Sequence, residues 1–290
     1  MTQRRVLIAD CDETILKMDL PQDGSLDGFS TAFSARITKL LQDKMTIEET
    51  QALFRHGYAR INRTPQVYGW VRDGLVVASA ADVLIMAGVV AGEILDSFEI
   101  LTDRDLRRIT IQRIFAESYS YSSTSLQPDA AMILNELRRA GWIVKVVTNA
   151  PTEKARKKLQ DRSSGLPAGQ SIDWLLEHVH GDAEKSKVTQ PELSLRNPYL
   201  ARPVFYHRPT LFELLDKLCR PGDDLTFLGD NADMDVHPGC ERYRSQNPRG
   251  ILFANSFTPR YDRQYFNGTP NRFLAHNWKE VASILLGQSF

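Results

Sequence analysis

Arg5-Val-Leu-Ile-Ala-Asp10-Cys-Asp12-Glu-Thr14 is the stretch on which the reading of this chain turns. Val6 to Ala9 is an apolar run of strand length, and it ends on a carboxylate. A short continuous run without polar alternation suits a strand covered on both faces, as in a parallel sheet. Three more runs share that character. Ile143 to Val147 ends in Thr148-Asn149, Leu225 to Leu228 ends in Gly229-Asp230, and Gly250 to Ala254 follows. Helical patterns lie between them. Asp129 to Ala140 stops at Gly141, a natural helix end. Pro151 can open a helix to about Asp161. Thr210-Leu-Phe-Glu213 reads as a capping box ahead of Leu214, Leu215 and Leu218, and Trp278 to Leu286 as a closing helix. Strand–helix alternation predicts an α/β fold, a doubly wound parallel sheet with right-handed crossovers.

The chain between the first and second of these runs differs. From about residue 20 to 125 strand-like runs are few and helix starts recur, at Thr46-Ile-Glu-Glu49 and Thr102-Asp-Arg-Asp105. The expectation is a smaller α-helical domain, 20–125, inserted into a core made of 1–19 and 126–290. Leu75 to Leu95 is strongly apolar, but Asp82 and Glu93 interrupt it well short of the roughly 20 residues of a membrane span. It reads as a buried helix. A second irregular stretch, about 162 to 202, reads as a surface excursion.

The 290 residues favour two domains. Lys plus Arg equals Asp plus Glu at 36 each, so no basic field points to nucleic acid. The three cysteines, Cys11, Cys219 and Cys240, are far apart and lack metal-ligand spacing, which argues against a disulfide framework or a zinc site and for a reducing, cytoplasmic setting. No secretory h-region is apparent, because Asp10 and Asp12 break the first apolar run. No membrane segment is expected.

Three polar clusters fall at the carboxyl ends of expected strands, the edge where open parallel sheets bind ligands. Asp10 and Asp12, with one residue between them, can face one small volume. One can attack phosphorus while the other exchanges a proton with the leaving oxygen and then with water. Thr148 and Asn149 precede a Pro-initiated helix and suit a phosphate oxygen. Asp230, Asp233 and Asp235 repel one another unless a hard divalent cation or hydrogen bonds offset their charge.

Together these clusters resemble the haloacid dehalogenase superfamily, in its phosphatase branch. Its first motif, Asp-x-Asp-x-Thr after an apolar strand, is matched by Asp10, Asp12 and Thr14. Thr148 matches its second motif, and Asp230 with Asp235 its last. The resemblance implies a magnesium-dependent hydrolase of a small phosphate ester, with Asp10 as nucleophile and Asp12 as acid/base. It implies Asp10, Asp230 and the Asp12 carbonyl as metal ligands, Asp233 or Asp235 in support, and Thr148 with the Asn149 backbone on the phosphoryl oxygens. It also places a mobile helical cap in the insertion. The departure is at the third motif, where a Lys is usual. Here Arg208 of His207-Arg208-Pro209 stands at that point, and Arg208 is the expected phosphate-binding cation, with Lys185 and Lys187 as alternatives. A phosphomutase and a non-catalytic binding protein on the same scaffold are the rival functions. The first would make isomers instead of free phosphate, and the second would bind without turnover.

Overall fold

The computed structural model describes residues 3–19, 26–64, 67–72, 74–167, 169–196, 199–200 and 202–287. The opening of the expected insertion, 20–25, and residues 168, 197, 198 and 201 of the expected excursion lie outside the described residues. The chain divides into two compact units: Met1–Lys17 with Ser125–Phe290, and Met18–Thr124.

Along the chain, β1 (Arg5–Ala9) leads through a tight loop to β2 (Leu16–Met18). The second unit follows, with α1 (Gly28–Leu40), α2 (Ile47–Arg63), the strands β3 (Gly69–Arg72) and β4 (Leu75–Ser79), α3 (Val83–Ser97) and α4 (Arg104–Ser118). The Thr46–Glu49 capping box forms as the sequence indicates. The apolar 75–95 stretch does not form one helix. Its β-branched first third pairs antiparallel with β3, and the helix begins only after Asp82, whose carboxylate accepts from the Ile85 N–H at 2.7 Å. Inside this unit Phe29, Phe33, Phe54 and Phe115 pack ring on ring at 5.1 to 6.3 Å. Of the basic and aromatic residues of α2 and the loop after it, Tyr58 is taken up by Ser30, while Arg60 pairs with Glu93 and lies over the Tyr68 ring.

The first unit resumes at β5 (Thr124–Leu126) and α5 (Ala130–Arg139), then β6 (Trp142–Val147), α6 (Thr152–Ser163) and β7 (Val179–His180). After the short pair β8 (Ser194–Leu195) and β9 (Val204–Phe205) come α7 (Pro209–Leu218), β10 (Asp224–Gly229), α8 (His237–Arg242), β11 (Arg249–Phe253), α9 (Arg260–Gly268), β12 (Arg272–Ala275) and α10 (Trp278–Leu286). The main sheet runs β12-β11-β10-β1-β6-β7 and is parallel throughout. The alternation along β1 explains its covering. Leu7 and Ala9 join a core with α5, α6 and α10, while Val6 and Ile8 join a second core with α7, α8 and α9. A sheet with helices on both faces is the doubly wound arrangement the sequence predicts. No helix among the described residues is long and apolar enough to cross a membrane.

A second local expectation fails. Thr210 does not cap α7. Pro209, with its φ already set for a helix, starts it two residues earlier with Arg208 at the cap position, and the Thr210 hydroxyl donates instead to Glu184 at 2.5 Å.

Candidate active site

The central strands β10, β1 and β6 end side by side, and each delivers a polar residue to the same edge. Asp10 follows β1, and its N–H donates to the Leu228 carbonyl of β10 at 2.9 Å. Thr148 follows β6. Its own N–H donates to His180 of β7 at 3.0 Å, and its carbonyl accepts from Ala183 at 3.1 Å, so its backbone is fixed on both sides. Its hydroxyl oxygen accepts from the Ala150 N–H at 3.2 Å, which leaves the O–H to donate.

The loop after β1 turns at once. Glu13 adopts a left-handed backbone with φ 57°, and the N–H groups of Ile15 and Leu16 both return to the Cys11 carbonyl. Thr14 is fully buried, and its carbonyl accepts from the Trp278 indole at 3.0 Å. Cys11 is buried, and burial with the carboxylates on either side pushes its thiol well above the ordinary range, so it is no rival nucleophile.

The loop after β10 returns Asp235 toward Asp230 through one π-helical turn, Ala232–Val236. The His237 N–H reaches five residues back to the Ala232 carbonyl, and the Asn231 N–H donates to the Asp235 carboxylate at 2.9 Å. The extra residue of a π turn changes which side chains face inward. Asp235 faces the strand ends. Asp233, two residues earlier, faces away and pairs with Arg202. Gly229 is required here, because a Cβ on it would lie 2.2 Å from the Asp235 Cβ.

Carboxylate oxygens of Asp10, Asp230 and Asp235 lie within 4.8 Å of one another. Asp230 is buried, and Asp235 is 3% exposed in its side chain. Into this cluster comes Lys185, also 3% exposed, whose ammonium donates to Asp10 at 2.5 Å and to Asp235 at 2.8 Å. Apolar residues wall the same cavity, among them Ile8, Val147, Leu211 and Phe227. One ammonium against three carboxylates leaves the cluster anionic. Burial, and after it the Asp235 charge, outweigh the pull of Lys185 and push Asp10 up to about 7. Burial opposes the charge on Lys185, yet the two carboxylates hold its ammonium above its ordinary range. The donor set is all oxygen, crowded and short of positive charge. That suits a hard divalent cation.

Arg208 corrects the sequence reading. It is fully buried, and its guanidinium is spent on backbone carbonyls: that of Lys185, that of Phe205 at 3.1 Å and that of Asp233 at 2.8 Å. It joins the backbone that carries Lys185 to the loop that carries Asp230 and Asp235, and its bonds are not aimed at the carboxylate cluster. The cation on Asp10 is Lys185, while Lys187 lies outside the cluster on Glu184 at 2.9 Å. Asn149 also serves Lys185, since its side-chain oxygen accepts from the Lys185 N–H at 2.7 Å. The Asp12 carboxylate is not part of the cluster formed by Asp10, Asp230 and Asp235. It meets Lys158 of α6 at 3.4 Å, a residue that motif reading passed over. The signal available for it was the run of basic residues after Thr148.

No protein-family model matches the sequence, and no curated protein matches it. Solved structures do. A protein named as a predicted phosphoglycolate phosphatase of Haemophilus somnus 129PT aligns over 98% of this chain and 99% of its own, with a TM-score of 0.51 at 15% identity. A proposed phosphatase of Clostridium difficile aligns over 98% and 100%, with a TM-score of 0.50 at 13% identity. A haloacid dehalogenase-like hydrolase of Xanthomonas campestris aligns over 89% and 84%, with a TM-score of 0.43 at 14% identity. The alignment over nearly the full length of both chains shows that this chain shares its fold with the Haemophilus somnus structure. On this sheet, the three motif positions of the sequence fall at the ends of three adjacent strands.

Proposed function

We propose that the protein is a magnesium-dependent phosphomonoesterase that works through a phosphorylated Asp10 on a small phosphorylated metabolite. The observation that carries this reading is the meeting of Asp10, Asp230 and Asp235 within 4.8 Å, with Lys185 on the Asp10 carboxylate. The metal would be held by those three carboxylates and the Asp12 carbonyl. When bound, it supplies positive charge that keeps Asp10 ionised and offsets repulsion between the carboxylate and the phosphoryl oxygens.

The residues of the chain divide the remaining work. An Asp10 oxygen attacks phosphorus, and the bond from phosphorus to the leaving oxygen breaks. Its electron pair stays on that oxygen, which takes a proton from Asp12. In the second half Asp12 takes a proton from water as the water oxygen attacks phosphorus. The bond to Asp10 breaks, the carboxylate is restored and inorganic phosphate leaves. Lys185 orients Asp10 and partly offsets the charge gathered there. The Thr148 hydroxyl donates to a phosphoryl oxygen, and backbone held by neighbours on both sides keeps it in place without reorganisation.

The test is phosphate release from a panel of sugar phosphates, nucleotides and phosphorylated acids with magnesium present. The wild type is expected to release phosphate, and Asp10→Asn to lose turnover by on the order of 10³-fold or more while its circular dichroism is unchanged. Undiminished release by a pure, folded Asp10→Asn protein removes Asp10 from the role.

A further inference from the structure

We propose that Lys158 recognises a negative charge on the leaving group, so that the preferred substrate is a phosphomonoester whose alcohol carries a carboxylate or a second phosphate. The inference rests on the assignment of Asp12 as the acid that meets the leaving oxygen.

Lys158 lies in the second turn of α6, the helix that follows Thr148. Long side chains on a helix point back toward its N-terminus. From there the Lys158 ammonium returns to the edge where β1 and β6 end, and stops 3.4 Å from an Asp12 carboxylate oxygen. The acid lies one hydrogen bond from the leaving oxygen, so the ammonium lies within about 6 Å of that oxygen. A carboxylate on the carbon next to the ester oxygen spans that distance with one hydrogen bond.

The two cations at this edge are set up differently. Lys185 is 3% exposed and locked on two carboxylates. Lys158 and Asp12 are 20% and 21% exposed, and their contact is longer than the 2.7–2.9 Å of a tight charge-assisted bond. A partly exposed pair of that length is worth little to the fold. Its ammonium, partly exposed, is placed to meet an anion brought to this edge. α6 carries five basic residues, Lys154, Arg156, Lys157, Lys158 and Arg162, against Glu153 and Asp161, so the helix as a whole favours an anion nearby. In the first half-reaction negative charge develops on the leaving oxygen beside the substrate's own anion. The Lys158 ammonium offsets that repulsion, while Asp12 supplies the proton the oxygen takes up.

Three esters of nearly equal size test the charge: carboxymethyl phosphate, 2-hydroxyethyl phosphate and 2-aminoethyl phosphate. Wild type is expected to favour the first by at least ten-fold in kcat/KM. Lys158→Met should cut that preference at least ten-fold, Lys158→Arg should keep most of it, and Lys158→Glu should move it toward the aminoethyl ester. A purely structural role for Lys158 cannot invert a charge preference. Comparison with ethane-1,2-diyl bisphosphate tells which anion fits better, and a clear gain over the hydroxyethyl ester with either anion supports the proposal. Hydrolysis of all esters without charge discrimination, or an equal loss on all three in Lys158→Met, overturns it and leaves the phosphatase reading intact. Failure of the wild type on every ester, p-nitrophenyl phosphate included, defeats that reading itself.

Discussion

Arg208 and Lys185 divide between them what one cation was expected to do. Arg is always charged and offers five donors in a rigid fork. Buried among carbonyls from three segments, it acts as a strut, whereas a compact ammonium on a flexible stem suits the crowded space beside Asp10. Arg208→Ala strands the carbonyls of Lys185, Phe205 and Asp233 and leaves a cavity, so denaturant unfolding should show a loss of about 3–5 kcal/mol. Arg208→Lys should restore only part of this, because an ammonium cannot span the fork. An unchanged unfolding midpoint in Arg208→Ala would contradict the strut. Lys185 stood in the sequence as an alternative to Arg208 and not as the first choice, for a plain reason. It lies in a stretch without periodicity, and what delivers it to Asp10 is a set of long-range bonds, from Asn149 to its N–H and from Arg208 to its carbonyl. None of these leaves a mark at neighbouring sequence positions.

The elements that sequence reading captured are those with a long, uniform signal. β1, β6 and β10 are continuous apolar runs, and their polar termini stood out because each run stops abruptly. β7, β8 and β9 have two residues each, too short for any pattern. The β3–β4 pair was missed although Asp73-Gly74, a dipeptide suited to hairpin turns, stood in the sequence. The strong apolarity of the segment that follows drew it into a helix. The π turn after β10 was likewise hidden, since only three-dimensional pairing distinguishes which of Asp233 and Asp235 faces the site. That turn depends on Gly229. In Gly229→Ala the new methyl displaces Asp235, and apparent magnesium affinity by titration calorimetry should fall by roughly ten- to a hundred-fold, the range for a disturbed ligand support. Affinity equal to wild type would show that Asp235 does not contribute to the ion's support.

On the scale of the whole molecule, buried charge limits stability as well as serving chemistry. Asp262 is buried, and burial first, then the nearby Asp233 charge, raise its carboxyl well above the ordinary 3.8. The folded protein therefore retains a proton that the unfolded chain releases once the pH exceeds 3.8. Its contribution to stability is fully present below that value and is lost as the pH rises toward the folded value. Asp262→Asn removes this dependence and keeps the shape. Its melting temperature should exceed that of wild type at pH 8, with the gap narrowing as the pH falls toward 4. A gap that widens on acidification would reverse the assignment of the buried proton.

Borohydride added during steady-state turnover, followed by peptide mass spectrometry, reads the phosphorylated carboxylate directly, because reduction of an acyl phosphate converts that aspartate to homoserine. The mark is expected at Asp10, dependent on both ester and magnesium. Reduction at another carboxylate, or none at all while phosphate release proceeds, would contradict Asp10 as the nucleophile at the centre of this site.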